Sequence, residues 1–115
     1  MTRSAPSVEE AFRRLSIGDM EFAAAIADRT GTEVPVKRLD ARTEALLRLG
    51  ALVAIDAPQS SYRAVVAAAL RAGARMEDLF AVLTAVASEV GSARVVAAAP
   101  CIALAAGYDV ESELE

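Results

Sequence analysis

Histidine and tryptophan are absent from this 115-residue chain, and cysteine occurs once, at position 101. Without histidine the chain has no side chain whose ordinary pKa lies near neutrality, so acid–base catalysis by an imidazole is excluded. A single cysteine can form no internal disulfide. Structural zinc sites need clusters of cysteine and histidine, so carboxylate metal sites alone remain, and no calcium-loop pattern is present. We therefore expect neither a structural metal nor a cofactor.

Basic stripes and long apolar runs are also missing. The formal net charge is −4, with arginines scattered among the acidic residues, so we expect no nucleic-acid partner. The longest mostly apolar stretch, 95–106, contains Pro100 and is shorter than the roughly 20 residues that a bilayer-spanning helix needs. No apolar run follows Arg3, so no signal peptide is expected. We predict no membrane partner and a cytoplasmic location.

Alanine is abundant where aromatic residues are few. The chain has 27 alanines but two tyrosines and three phenylalanines. Alanine is the best helix former, and its small side chain buries little area. A lone Ala-rich bundle of this length would have a thin core. We therefore expect one helical domain whose buried faces are completed by other subunits.

Capping and breaking residues divide the chain into six helices, which makes the predicted fold class all-α. Ser7 and Glu10 have capping-box spacing, and Asp40 is placed to cap the third helix. Ser60 or Ser61 is expected to cap the fourth. The predicted helices span about 7–17, 19–29, 41–55, 61–72, 76–90 and 93–106.

The apolar residues of these helices predict which faces are buried. The third helix is apolar almost all round between residues 45 and 55, as expected of a buried central helix. Pro100 should kink or split the sixth helix, because proline removes a backbone donor and clashes with the preceding turn. From the fourth and fifth helices the side chains expected to point inward are Val65, Val66, Ala69, Leu70, Leu79, Leu83, Val86 and Val90.

Three segments carry a family resemblance. Residues 39–49 read LDARTEALLRL, residues 67–79 read AAALRAGARMEDL, and residues 86–91 read VASEVG. The first looks like the opening core helix of the carboxymuconolactone decarboxylase-like family, which includes alkyl hydroperoxidase D-like enzymes. The second is similar to the family's central signature, in which an Ala-Leu helix end meets Gly-Ala and an acidic helix start. The third matches the region that in many members ends in an aromatic residue, a small residue and glycine.

The resemblance covers about residues 39–106. It implies an all-helical fold, assembly as a trimer or hexamer, and an activity on a small organic acid or lactone. Within the single domain it marks an N-terminal helical arm over 1–38, a family core over 39–106 and an acidic tail over 107–115.

The motif of the peroxidase branch, Cys-x-x-Cys-x-x-x-His, is missing. Counted back from Gly73, its cysteine positions fall on Pro58 and Ser61 and its histidine position on Val65. Attack of a thiolate on peroxide by this motif is therefore excluded. Many decarboxylase-type members also have the histidine, and Val65 can neither move a proton nor polarise a carbonyl. Any chemistry must use other groups, and decarboxylation or isomerisation without histidine is the activity we expect.

Glu89 is the first candidate for a catalytic residue. It lies near the end of an otherwise apolar helix, where many relatives carry an aromatic residue. Flanked by Val86 and Val90, its carboxyl group could have a raised pKa and act as an acid or base. Alternatively, Glu89 is an exposed residue of the last helical turn, or it forms an ion pair with Arg94.

Tyr62 and Arg63 lie where the resemblance places the family's active-site motif. Tyr62 could donate a proton, and Arg63 could hold a substrate carboxylate through two parallel hydrogen bonds. The alternative is an amphipathic tyrosine beside a solvated arginine at a helix start. Glu44 occupies roughly the place of a family glutamate and could bind substrate, or it could simply pair with Arg48.

Four other polar residues have simpler explanations. Cys101 is expected to be a small buried hydrophobe rather than a reactive thiol, because no histidine or second cysteine accompanies it. Asp56 is expected in a turn. Thr84 and Ser88 are expected to bond back to helix carbonyls. The sequence thus favours a homo-oligomeric family member acting on a small acid or lactone, with a non-catalytic binding or assembly subunit as the alternative.

Overall fold

The computed structural model describes residues 6–28 and 38–108. The described residues form six α-helices and no strand, which confirms the all-α prediction. The helices are α1 Val8–Ser16, α2 Met20–Asp28, α3 Ala41–Ala54, α4 Gln59–Arg71, α5 Met76–Val90 and α6 Ser92–Ala105. The chain divides between residues 38 and 39 into two compact units. Residues 109–115 of the predicted acidic tail lie outside the described residues.

Side-chain caps begin three of the helices. The Oγ atom of Ser7 accepts a hydrogen bond from the Glu10 backbone N–H at 3.1 Å, and Asp40 caps α3 by accepting from the Thr43 N–H at 2.9 Å. The reciprocal half of the capping box at Ser7 is not formed, because the Glu10 carboxylate accepts two hydrogen bonds from Arg13 instead, at 2.8 and 2.7 Å. At the start of α2, the Asp19 carboxylate accepts a hydrogen bond from the Phe22 backbone N–H at 3.0 Å.

The fourth helix begins earlier than the predicted serine cap. Pro58 is its N-cap residue, and Ser60 and Ser61 lie inside its first turn. The proline ring fixes φ at −67°, and ψ is 156°, so the chain is already extended immediately before Gln59. No side-chain cap forms there, and the prediction that Ser60 or Ser61 caps this helix was wrong.

The first compact unit consists of α1 and α2, which pack against each other. Ala11 and Phe22 are its buried apolar residues. The guanidinium of Arg14 lies over the Phe22 ring, 5.2 Å from the ring centre, within cation–π range.

In the second unit, the four helices α3 to α6 surround one core. Both α3 and α6 pack on α4 and on α5, whereas α4 and α5 barely touch. Seen along the bundle, α3 and α6 therefore occupy one pair of opposite corners, and α4 and α5 occupy the other. Leu49, Val53, Tyr62, Val66 and Leu79 are the largest fully buried side chains of this core.

Two predictions about burial were wrong. The third helix is buried on one face only, since Leu47 is 59% exposed and Ala51 and Ala54 are also exposed. Leu70 on α4 points outward and is 37% exposed. Leu47 and Leu70 are therefore apolar side chains that this subunit leaves partly uncovered.

Pro100 does not split the sixth helix, which runs without interruption from Ser92 to Ala105. The missing N–H of Pro100 leaves the Val96 carbonyl without its helical donor. Both residues are exposed, so water can reach this carbonyl and the helix continues.

Candidate functional site

The turn between α3 and α4 leads into the segment where the resemblance places the active-site motif that this chain lacks. Asp56 adopts a left-handed conformation, with φ of 53°, which aspartate tolerates better than most residues. The Asp56 N–H donates to the Val53 carbonyl at 3.2 Å, and the Ala57 N–H donates to the Leu52 carbonyl at 3.0 Å. This pattern closes the C-terminus of α3 and confirms Asp56 as a turn residue.

Tyr62 is buried in the core rather than placed in an open pocket. It is 1% exposed, because it continues the inward row of α4 formed by Val65, Val66 and Ala69. Burial raises the pKa of Tyr62, and negative charge on Cys101 and Asp56 raises it further. Its hydroxyl group makes no hydrogen bond to another described residue, yet no fully buried polar side-chain atom of the described chain lacks a partner. The hydroxyl oxygen is therefore not fully enclosed, although only 1% of the residue is exposed.

Arg63 points away from the pocket position predicted for it. Successive residues of an α-helix lie about 100° apart around the axis, so the inward direction of Tyr62 turns Arg63 outward, and Arg63 is exposed. Within residues 6–28 and 38–108, no ion pair of Arg63 is found. One cavity within this subunit cannot receive both side chains.

Glu89 is exposed near the end of α5. Its carboxylate accepts a hydrogen bond from the Ser88 hydroxyl at 2.8 Å. Arg94 donates to the Val90 carbonyl at 3.4 Å rather than to Glu89. The apolar burial on which the proposed acid–base role depends is therefore not provided by this subunit alone.

Glu44 is half-buried in the first turn of α3. The turn that leads to Tyr62 follows the last turn of the same helix, ten residues further along. At about 1.5 Å per residue, Glu44 and the end of α3 are about 15 Å apart along the axis of α3. Tyr62 and Glu44 thus lie at different levels of the bundle, and Tyr62, Arg63 and Glu89 form no hydrogen bond or ion pair with one another.

The remaining polar candidates are held by their own helices. Thr84 donates to the Ala81 carbonyl at 2.8 Å, as predicted, whereas Ser88 bonds to Glu89 rather than to a helix carbonyl. Cys101 is half-buried, and its thiol donates to the Ala97 carbonyl at 3.6 Å. The described residues contain no group of three or more His, Cys, Asp or Glu side chains that could hold a metal ion. None of the described helices is long and apolar enough to cross a membrane.

A groove of about 280 Å³ lies between α5 and α6. Four side chains from each helix line it, together with Tyr108. Every lining residue is apolar or aromatic, and none of Glu44, Tyr62, Arg63 or Glu89 is among them. The groove is therefore separate from the predicted site.

Tyr108 reaches the groove through the way in which α6 ends. Gly107 has φ of 90°, and the Tyr108 N–H donates to the Ala103 carbonyl at 2.8 Å. This helix-ending motif brings the third residue after Ala105 back onto the last turn of α6, and Tyr108 and Ala103 both line the groove. The sequence analysis assigned Tyr108 no role, although an aromatic residue directly after a helix-ending glycine is the signal that could have revealed it.

Comparison with known proteins identifies the family. The sequence model of the carboxymuconolactone decarboxylase family matches residues 20–103. This match begins earlier than the resemblance over 39–106, and it includes α2. No curated protein and no solved structure matches the chain. Because the family match covers well over half of the sequence, the chain belongs to the carboxymuconolactone decarboxylase family.

Proposed function

We propose that this family member binds a small organic acid or lactone as a non-catalytic subunit. The observation that supports this function is the separation of the candidate catalytic groups. Tyr62 points into the core, whereas Arg63 and Glu89 are exposed. General acid–base catalysis needs the acid and base within hydrogen-bond reach of one substrate. The motif positions add no reactive group, since they hold Pro58, Ser61 and Val65.

Arg63 is the residue that we expect to hold the ligand. A guanidinium presents two parallel N–H donors that match both oxygens of a carboxylate. Arg63 is exposed near the start of α4 and forms no ion pair with another described residue, so its donors are accessible. A small carboxylate placed there would find one charged donor and no neighbouring acid–base group, which allows binding without turnover.

The experiment is native mass spectrometry of the purified protein, followed by titration with benzoate and succinate as carboxylate probes. Arg63→Ala should weaken carboxylate binding at least tenfold, which corresponds to about 1.4 kcal/mol. Arg71→Ala is the matched control, because Arg71 is also exposed on α4 but lies two turns further along. Equal binding by wild type and Arg63→Ala would contradict this role.

A second candidate function is histidine-independent decarboxylation or isomerisation of such a ligand. The feature on which it rests is the phenol of Tyr62, which is protonated at neutral pH and can donate a proton, although burial raises its pKa and makes it a weaker acid. In this case Glu89 would act as the base, Arg63 and Glu44 would bind substrate, and groups from a neighbouring subunit would complete the site.

Turnover of a small unsaturated lactone by the wild type decides between the two functions. Tyr62→Phe and Glu89→Gln should each abolish that turnover while leaving binding to Arg63 intact. If the wild type binds the lactone and leaves it unchanged, the non-catalytic function stands and the enzymatic one fails.

A further inference from the structure

We infer that the outer surface of α5 and α6 is a two-fold contact with a second copy of this chain. The surface, here called the α5–α6 face, consists of Met76, Phe80, Val96, Pro100, Leu104 and Tyr108. The inference extends the proposed function, because it identifies how the subunits assemble.

The α5–α6 face is continuous. Met76, Phe80, Pro100 and Tyr108 all line the groove between the two helices. Val96 and Leu104 lie four residues before and after Pro100, so the three share one row along α6. Small side chains at Ala99 and Ala103 form part of the groove. They leave room for the side chains of another helix to enter.

The exposed apolar area suits a subunit contact. Phe80 is 65% exposed and Tyr108 is 47% exposed, which leaves about 100 Å² of each aromatic residue uncovered. Val96, Leu104 and Met76 are 70%, 51% and 48% exposed. The whole face therefore offers on the order of 500 Å² of apolar surface, near the upper end for a monomer. A stable dimer buries about 800 Å² per partner, and about 65% of a homodimer contact is apolar. The apolar area of the α5–α6 face is therefore close to what one such contact requires.

Covering this face would bury no charge. Between Arg94 and Tyr108, the sequence of α6 contains no ionisable side chain except Cys101, which is half-buried and bonded to its own helix. The charged residues lie at the rim, where Arg75 pairs with Glu77 at 3.3 Å. An apolar centre with a charged rim is the usual composition of a subunit contact, because unpaired buried charges are costly.

A second copy fits the groove better than a small molecule does. The groove is shallow, since its aromatic wall residues Phe80 and Tyr108 remain largely exposed, and small-molecule sites bury most of their ligand. In a two-fold contact, each α6 would lie against the groove of the other copy, so the same residues on both subunits would be covered together.

The test is the molar mass in solution, measured by size-exclusion chromatography with light scattering. We expect an even number of subunits for the wild type. Phe80→Glu and Leu104→Glu should each reduce the mass to half or less, because every contact would bury two uncompensated carboxylates. Both residues are more than half exposed, so the variants should keep the wild-type helical circular dichroism.

Ser60→Glu is the matched control, since it adds the same charge at an exposed position on α4 and should leave the mass unchanged. A wild-type monomer, an odd number of subunits, or glutamate variants with the wild-type mass would each overturn the contact. A monomer that carries a bound apolar molecule would assign the groove to that ligand instead. Carboxylate binding by Arg63 is measured separately, so failure of the assembly and failure of the proposed ligand site can be distinguished.

Discussion

At the scale of single residues, Tyr62 differs most from its expected role. The sequence places it beside Arg63 at a helix start, as if both faced one ligand. The spacing of Tyr62, Val66 and Ala69 already indicated an inward row, because residues four and three apart share a helix face. Burial then decides the chemistry: it keeps the phenol neutral, and it leaves a hydroxyl whose contact with solvent is narrow.

Tyr62 should therefore ionise at a higher pH than an ordinary tyrosine. Because burial raises the pKa of Tyr62, an ultraviolet titration should show it ionising above the usual value of about 10. Tyr62→Phe should remove this high-pH step. A Tyr62→Phe variant that keeps the high-pH step would contradict the assignment.

The same shift has a consequence for stability. A pKa that is higher in the folded state than in the unfolded state contributes stability that is complete below the unfolded pKa. That stability is lost as pH rises toward the folded value. Above about pH 10, the wild type should thus lose stability faster than Tyr62→Phe in denaturant titrations.

Asp40 gives the opposite pH dependence. Its hydrogen bonds from the Thr43 N–H and hydroxyl lower the pKa of Asp40. A lowered pKa contributes stability above the ordinary value of about 3.9, and that stability is lost as pH falls through the lowered one. Asp40→Ala should lower the melting temperature at neutral pH by removing the cap of α3.

Asp40→Asn is the informative partner variant, because asparagine caps a helix and does not ionise. It should retain most of the neutral-pH stability while losing the part of the acid dependence that comes from this residue. If Asp40→Asn and Asp40→Ala melt together, the cap hydrogen bond is not what Asp40 contributes.

At the scale of helices, the close approach of α3 and α5 depends on Gly50. A Cβ atom at this position would lie 3.3 Å from a Cγ atom of Val86 and 3.7 Å from one of Val82. Alanine would favour the helix by up to about 1 kcal/mol, but Val86 would have to move. We expect Gly50→Ala to gain less than that amount of unfolding free energy.

Coupling between the two positions tests this contact. Gly50→Ala combined with Val86→Ala should be more stable than the sum of the single changes, by about 0.5 kcal/mol or more. The control combines Gly50→Ala with Val95→Ala, since Val95 is half-buried on α6 and not in contact with position 50. Strict additivity in both pairs would show that Val86 does not limit the approach.

The helices were largely predictable because their signals are local. Asp40 and Ser7 cap through atoms three residues away, and Gly73 and Gly91 lie at helix ends with positive φ. The start of α4 was missed because its N-cap residue is the extended Pro58, which makes no side-chain cap, rather than a serine. Helix boundaries of this kind depend on backbone angles that composition does not reveal.

The candidate site was less predictable, for a geometric reason. Neighbours in sequence, such as Tyr62 and Arg63, diverge around a helix. Glu44 and Glu89 are related to them only through the packing of α3 and α5. The α5–α6 groove was missed because it joins Met76 and Phe80 to Pro100 and Tyr108, and a single sequence contains no signal for that pairing.

At the scale of the whole bundle, a second apolar region lies at the corner opposite α6. Leu47 and Ile55 on the outer side of α3 are 59% and 72% exposed, and exposed Ala51 lies between them. If α6 makes a two-fold contact, a further contact through α3 would build an assembly larger than a dimer, and closed symmetry would be required to end it.

The uncharged outer side of α6 also links folding to the amount of protein present. Any partner that binds only the folded state stabilises it by mass action, in proportion to the logarithm of its concentration. The melting temperature of the wild type should therefore rise with total protein concentration, whereas that of Phe80→Glu should rise less. The thin, alanine-rich core would then limit the stability of the isolated subunit, and dilution alone should lower the melting temperature.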